Sequence, residues 1–324
     1  MDRFGRTIDY LRVSVTCRCN ERCLYCMPEP NGRPVGNGDC LTANEILRVV
    51  QAAASLGFRK IRLTGGEPLM RPDLCDLIRQ AAAVPGIEGI GLSTNGLRLA
   101  SIAPSLAAAG LGGVNVSLDT LDPVAYRRMT GGDLQRVLDG IRAAQTAGFA
   151  RIKLNCVLMR GINEDQIEPL ARFAAARGLP IRFIELMPIT TSKAPGRLRF
   201  LPAEEAMARL GPPDAWIPSP RSSGDWGPAR YYRLPDRDAS IGWIRPLTDP
   251  RFCDSCNRMR LTADGQLMPC LGDPTEFDLR RILRQSASDE PVRDCLSQAI
   301  AAKPRQHRFN RLGQPCRPMC TVGG

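Results

Sequence analysis

Between residues 10 and 186 six short β-branched or alternating stretches alternate with five helix-forming ones, and this repetition restricts the fold more than any other feature. Strand-like stretches fall at 10–15, 60–64, 89–93, 113–118, 151–157 and 180–186, with helix-like stretches at 43–56, 72–83, 99–109, 135–147 and 164–177 between them. Thr42-Ala-Asn-Glu45 reads as a capping box, with Gly57 beyond the end of the helix that it starts. Strands alternating with helices build a parallel sheet with right-handed crossovers. Six units are fewer than the eight of a closed barrel, so the expected fold class is α/β, an incomplete (β/α)6 parallel barrel. From about residue 190 the composition shifts to Pro, Gly and Arg, as in Gly211-Pro-Pro213. The expected organisation is therefore a partial barrel over 1–190, a loop-rich linker over 191–245 and a C-terminal region over 246–324.

The informative short motifs fall where strands end, the face at which parallel barrels place their chemistry. Cys19, Cys23 and Cys26 form C-x3-C-x2-C on the loop leaving the first strand. Soft thiolates select Fe–S clusters, Zn or Cu(I). Cys17 adds a fourth thiol, and four thiolates suit structural zinc; three would leave one iron of a cubane cluster open. At the end of the second strand, Thr64-Gly-Gly-Glu-Pro68 is a turn whose glycines permit close backbone approach to a ligand, and Glu67 offers a carboxylate to an ammonium group. Further on, Cys253, Cys256 and Cys270 form C-x2-C-x13-C. A zinc ribbon would show a second C-x2-C after the first; here a single cysteine follows.

The triad, with Tyr25 before its last cysteine, followed one strand later by Gly-Gly-Glu-Pro, resembles the radical S-adenosylmethionine (radical SAM) superfamily. The second cysteine set with Asn257-Arg-Met-Arg260 and the Gly-Gly at 323–324 is similar to the GTP 3',8-cyclase family of molybdenum cofactor biosynthesis. That resemblance implies two 4Fe–4S clusters, one held by Cys19, Cys23 and Cys26 and the other by Cys253, Cys256 and Cys270 in a C-terminal region closing the barrel mouth. It implies SAM contacts at Tyr25, Gly66, Ser117 and Met187, and GTP contacts at Arg12, Arg62, Ser93, Lys153, Arg258, Met259 and Arg260. It further implies a GTP substrate, a reductant such as flavodoxin or ferredoxin, and a downstream cyclic pyranopterin monophosphate synthase, in a monomer or homodimer. The segment Val322-Gly-Gly324 is expected to reach the active site. Cys17 stands where the family frequently has an acidic residue, Ser93 keeps the hydroxyl of a usual threonine, and Cys316 and Cys320 match no family role.

Charge and cysteine usage constrain the alternatives. A formal net charge of +11 fits nucleic acid, an anionic surface or an anionic small substrate. With aromatics at 5% and no long Lys/Arg block, nucleic acid is not expected. Thirteen cysteines, an odd number, behind a polar start read as a reducing, cytoplasmic setting rather than a disulfide framework. The uncharged run over 99–118 is broken by Pro104 and by glycines, so no membrane span is expected. His307, the only histidine, is expected to be solvated. Two other readings remain at this point: a radical SAM peptide or protein maturase with an auxiliary cluster, and a zinc-bound nucleic-acid-binding module.

Overall fold

The computed structural model describes residues 1–26, 40–189, 199–220, 226–235, 237–309, 317 and 319–323. The expected alternation is present: β1 (Tyr10–Ser14), α1 (Ala43–Ser55), β2 (Lys60–Thr64), α2 (Leu74–Ala82), β3 (Gly89–Thr94), α3 (Leu99–Ala108), β4 (Gly113–Ser117), α4 (Pro123–Thr130), α5 (Leu134–Thr146), β5 (Ile152–Leu158), α6 (Ile167–Ala175) and β6 (Ile181–Glu185). α1 starts at the expected capping box, with Thr42 accepting from the Glu45 amide and Glu45 accepting from the Thr42 amide. α4 was not expected, although Asp122 caps it and Pro123 opens it as helix-start chemistry requires.

Residues 191–245, expected as a loop-rich linker, instead hold α7 (Ala203–Ala208), β7 (Ile217–Ser219), β8 (Arg230–Leu234) and β9 (Arg237–Ile244). After them come β10 (Arg258–Leu261), β11 (Gln266–Met268), β12 (Phe277–Asp278), α8 (Leu279–Gln285), α9 (Glu290–Ala301) and α10 (Met319–Val322). The twelve strands among the described residues form one open sheet, ordered β12-β11-β10-β1-β2-β3-β4-β5-β6-β9-β8-β7. β10 pairs parallel with β1, and β9 pairs parallel with β6. The parallel arc is thus two strands wider than six βα units provide, because the C-terminal half adds one parallel strand to each edge. Antiparallel strands then continue both flanks.

Period-two alternation gives the two faces of the arc opposite characters. Leu11, Val13, Ile61, Leu63, Leu92, Val114, Leu154 and Phe183 point into the hydrophobic core with α1, α2, α3, α5 and α6. Their neighbours Tyr10, Arg12, Arg62, Ser93, Asn115, Asn155 and Arg182 line the concave side. Glu185, at the end of β6, fastens the C-terminal half to the arc: its carboxylate accepts from the amides of Ala203, Leu247 and Thr248 and from the Thr248 hydroxyl. Arg48 on α1 does the same on the other side, donating to the carbonyls of Leu283, Ser286 and Ser288 and pairing with Asp289.

Candidate functional site

Strand register brings the basic side chains together. Arg260, Arg12 and Arg62 stand directly opposite one another on β10, β1 and β2, and Gly91 follows on β3. Ser93, Asn115 and Lys153 are likewise in register on β3, β4 and β5. Like charges carried on neighbouring strands repel one another, more so where burial lowers the local dielectric. Neutral groups answer two of the guanidiniums. Arg62 donates to the Tyr10 hydroxyl at 2.5 Å and to the Leu92 carbonyl, while Arg182 donates to Asn155 at 2.8 Å. No carboxylate among the described residues pairs with Arg62, Arg182, Arg258 or Arg260. Burial, with Arg62, Arg258 and Arg182 nearby, pushes the Arg12 guanidinium down to about 10, and burial beside Arg12 and Arg258 pushes Arg260 well down. Tyr10 shifts the opposite way for a phenol: burial raises it, yet the surrounding arginines outweigh burial and lower it. The concave face therefore concentrates positive charge, which suits an anion.

The first cysteine loop follows β1, at the C-terminal end of the parallel strands. Its backbone is docked on three sides: the Gly66 amide donates to Thr16, the Glu67 amide to Arg18, and the Arg22 and Leu24 amides to Thr130 and Met129 at the end of α4. A Cβ on Gly66 would lie 2.4 Å from the Arg18 carbonyl oxygen, so only glycine allows the two turns to meet. Burial, reinforced by neighbouring acids and thiols, pushes the Cys19 and Cys26 thiols up to about 12 and raises Cys23 well above its ordinary range. Thiols in this setting become thiolates when a metal takes the proton's place. Among the described residues no three Cys, His, Asp or Glu side chains are already gathered to metal-binding distance; the loop supplies donors rather than a finished cage. Tyr25 donates to Asp119 at 2.8 Å, and Asp119 also accepts from the Val157 amide, which joins the loop to β4 and β5. Glu67 is buried and accepts from Thr94, the Leu69 amide and the Asn95 amide, so its carboxylate holds the turn to β3.

The second cysteine set sits at the other end. Cys256 precedes β10, which runs parallel to β1, whereas the first triad follows β1; Cys270 follows the antiparallel β11. This set therefore closes the N-terminal end of the strands, not the mouth where the first triad lies, because a residue before a parallel strand and one after it occupy opposite ends. Cys253, Cys256 and Cys270 line the same cavity as Arg12, Arg62, Ser93, Met187, Arg258 and Arg260. Burial raises the Cys256 thiol, but Arg258 and Lys303 outweigh it and bring it down to about 6, while burial leaves Cys253 and Cys270 raised.

Lys153 lines an adjoining space with Arg62, Asn115, Arg151 and Trp226. Met259 departs from its expected role: its side chain is fully buried in the core, on the face of β10 opposite Arg258 and Arg260. His307 is half-buried rather than solvated; it bonds the Pro246 carbonyl oxygen at 2.7 Å, stacks on Phe309 and lines the cavity near the second cysteines. Arg182 and Lys303 were missed by sequence reasoning, since Arg182 is a lone cation in an apolar strand and Lys303 one of several in a basic segment, and neither belongs to a motif. Gly323 returns to the first end, its carbonyl accepting from Arg260 while its α-carbon packs against Thr64. Gly324 and Cys316 lie outside the described residues.

The model of the radical SAM superfamily matches residues 13–174, and that of the molybdenum cofactor synthesis C-terminal domain matches 179–309. A protein of Pelotomaculum thermopropionicum named GTP 3',8-cyclase is 46% identical across 100% of this chain and 99% of its own length. The chain belongs to the GTP 3',8-cyclase family of the radical SAM superfamily. Relatives of the same name in Moorella thermoacetica (44%, covering 100% of this chain and 99% of the relative) and, as GTP 3',8-cyclase 1, in Pseudomonas aeruginosa (44%, 97% and 95%) agree. Among solved structures, SuiB of Streptococcus suis bound to S-adenosylmethionine superposes with a TM-score of 0.60 at 15% identity, covering 90% of this chain and 68% of that one. At that identity the likeness concerns the fold alone. The superfamily implies one 4Fe–4S cluster and SAM, and no helix among the described residues is long and apolar enough to cross a membrane.

Proposed function

We propose that this chain converts GTP to 3',8-cyclo-7,8-dihydro-GTP, the first step of molybdenum cofactor biosynthesis. The observation that carries this reading is the in-register row Arg260, Arg12 and Arg62 inside a cavity that reaches a set of three cysteines. Three adjacent guanidiniums suit a triphosphate, which accepts from each and removes their mutual repulsion. Cys19, Cys23 and Cys26 would hold the SAM-binding cluster, with Tyr25, Gly66, Ser117 and Met187 about the SAM. Cys253, Cys256 and Cys270 would hold a second cluster against the guanine, with Arg258 over Phe252 beside it. When bound, the cluster and SAM supply the 5'-deoxyadenosyl radical that takes the ribose 3' hydrogen.

The chain's own part is placement. Arg12, Arg62, Lys153, Arg258, Arg260 and the newly located Arg182 orient the triphosphate and base, and Ser93 adds a hydroxyl. A reductant such as flavodoxin or ferredoxin and a downstream cyclic pyranopterin monophosphate synthase are the partners this reading requires. A maturase reading would replace the guanidinium row with a peptide groove, and a zinc module would leave it without a ligand.

The test uses anaerobically reconstituted protein with GTP, SAM and a reductant. Cys23→Ala should abolish 5'-deoxyadenosine formation, whereas Cys256→Ala should retain part of it and lose the cyclised product. Cyclisation at the parental rate in Cys256→Ala would sink the two-site reading.

A further inference from the structure

Two cysteines outside both triads meet beside the first one. The Cys17 and Cys40 sulfurs are 3.5 Å apart, joined by a thiol hydrogen bond. Cys17 is buried and Cys40 half-buried, so the second is the one reagents reach first. Their approach is built into the fold. A single Arg71 nitrogen donates to the Val15 carbonyl at 2.7 Å and the Leu41 carbonyl at 3.1 Å, bringing together the chain just before Cys17 and just after Cys40. Asp73 grips the same guanidinium at 2.7 and 3.1 Å, and the Leu41 amide bonds Ala263 beyond β10. The two residues therefore close the base of the segment 18–39, which contains Cys19, Cys23 and Cys26.

We propose that Cys17 and Cys40 are a redox-active dithiol that closes to an intramolecular disulfide by exchange with a low-molecular-weight disulfide. The proposal goes beyond the cyclase reading and does not depend on the substrate. In the first step the Cys40 thiolate attacks one sulfur of oxidised glutathione, forming a mixed disulfide and releasing one glutathione thiolate. Cys17 then attacks the Cys40 sulfur, forms the Cys17–Cys40 bond and displaces the second glutathione. Two protein thiols are oxidised, one glutathione disulfide is reduced, and the two protons end on the released thiols. The sulfurs have only to close from van der Waals contact to about 2.05 Å, with both backbones already held. The resulting bridge ties the base of the cluster segment, so the three ligand cysteines keep a fixed origin if an oxidant strips their iron.

The test treats iron-loaded protein with oxidised glutathione under anaerobic conditions, quenches with iodoacetamide and maps peptides by mass. The expected result is one Cys17–Cys40 cross-link per chain at unchanged iron content. It should be absent from Cys17→Ser, in which Cys40 carries glutathione instead, and from Cys40→Ser. After oxidative loss of iron, wild-type protein should reload its first site several-fold faster than either variant, followed by the electron paramagnetic resonance signal of that cluster. Melting curves confirm that the Ser variants fold. No cross-link in folded wild-type protein, a cross-link from Cys17 or Cys40 to a triad cysteine, or loss of iron in Cys17→Ser would each overturn the proposal. Equal reloading in all three proteins would remove the role assigned to the bridge.

Discussion

Replacing Lys303 by Met should weaken the fold and the second cysteine site together. The Lys303 side chain is among the largest that are fully buried. Its ammonium donates to the Arg258 and Pro269 carbonyl oxygens, both at 2.6 Å. Arg258 lies two residues after Cys256 and Pro269 one before Cys270, so this one cation clamps two of the three cysteine arms. Met has similar length and no donor. Two buried carbonyls would lose their partner, at about 1–3 kcal/mol each, or roughly 2–6 kcal/mol in all before the relief of no longer burying a charge. The same change removes one of the two cations that bring the Cys256 thiol down to about 6, so its midpoint should climb toward the ordinary thiol range. Chemical denaturation of cluster-free protein reads the first effect, and the pH dependence of Cys256 alkylation reads the second. Unchanged stability within about 0.5 kcal/mol together with an unmoved alkylation midpoint would refute the clamp, since background surface changes fall within that range.

Gly66→Ala places a Cβ 2.4 Å from the Arg18 carbonyl oxygen and 2.9 Å from that of Cys17. SAM affinity in titration calorimetry should fall at least about tenfold, equivalent to roughly 1.4 kcal/mol, with the fold retained. The lowered Cys256 thiol, with its midpoint at about 6, contributes stability that is fully present above the unfolded thiol value and is lost as pH falls through about 6. The stability difference between cluster-free wild type and Cys256→Ser should therefore shrink across that window; a difference independent of pH between 9 and 5 would contradict the assignment. Arg260→Ala should weaken GTP binding by roughly 1.5–3 kcal/mol, about 10- to 150-fold, and guanosine binding far less; an equal loss for both ligands would mean that Arg260 does not meet phosphate.

The βα repeats and the motifs at their ends were legible because each has a local cause. Hydrophobic period, a capping box at Thr42 and glycines at 65 and 66 act within a few residues of themselves. What escaped depends on partners far along the chain. β7 holds a proline, Pro218, inside a three-residue edge strand, and β9 becomes a strand by pairing with β6, some sixty residues earlier by number. Met259 was expected as a contact because the family resemblance carried it along with Arg258 and Arg260, yet strand alternation turns its side chain into the core. His307 looked solvated because its neighbours are basic; the Pro246 carbonyl and the Phe309 ring that hold it were not visible locally. Glu67 sits at the expected turn, but the three donors that its carboxylate gathers are assembled only by folding.

The parallel pairing of β10 with β1 links the two cysteine sets. Because β10 starts beside Cys256 and ends beside the first cysteine loop, Arg258 and Arg260 lie at successive levels of a single strand. Arg258 donates to the Cys256 sulfur at one level, and Arg260 donates to the Gly323 carbonyl oxygen at the next. Gly323 in turn packs at Thr64 and Gly65, with φ at +80°, where a side chain would collide with the Thr64 hydroxyl. One strand thus spans the distance between a thiol set at its start and the Gly-Gly-Glu-Pro turn near its end, with guanidiniums at both levels. A ligand lying along it would have one end against Cys256 and its charged groups within reach of Arg12, Arg62 and Arg260. That arrangement explains why the second cysteine set must belong to the same sheet as the first: displacing β10 by one residue would turn Arg258 and Arg260 into the core and leave Met259 facing the anion.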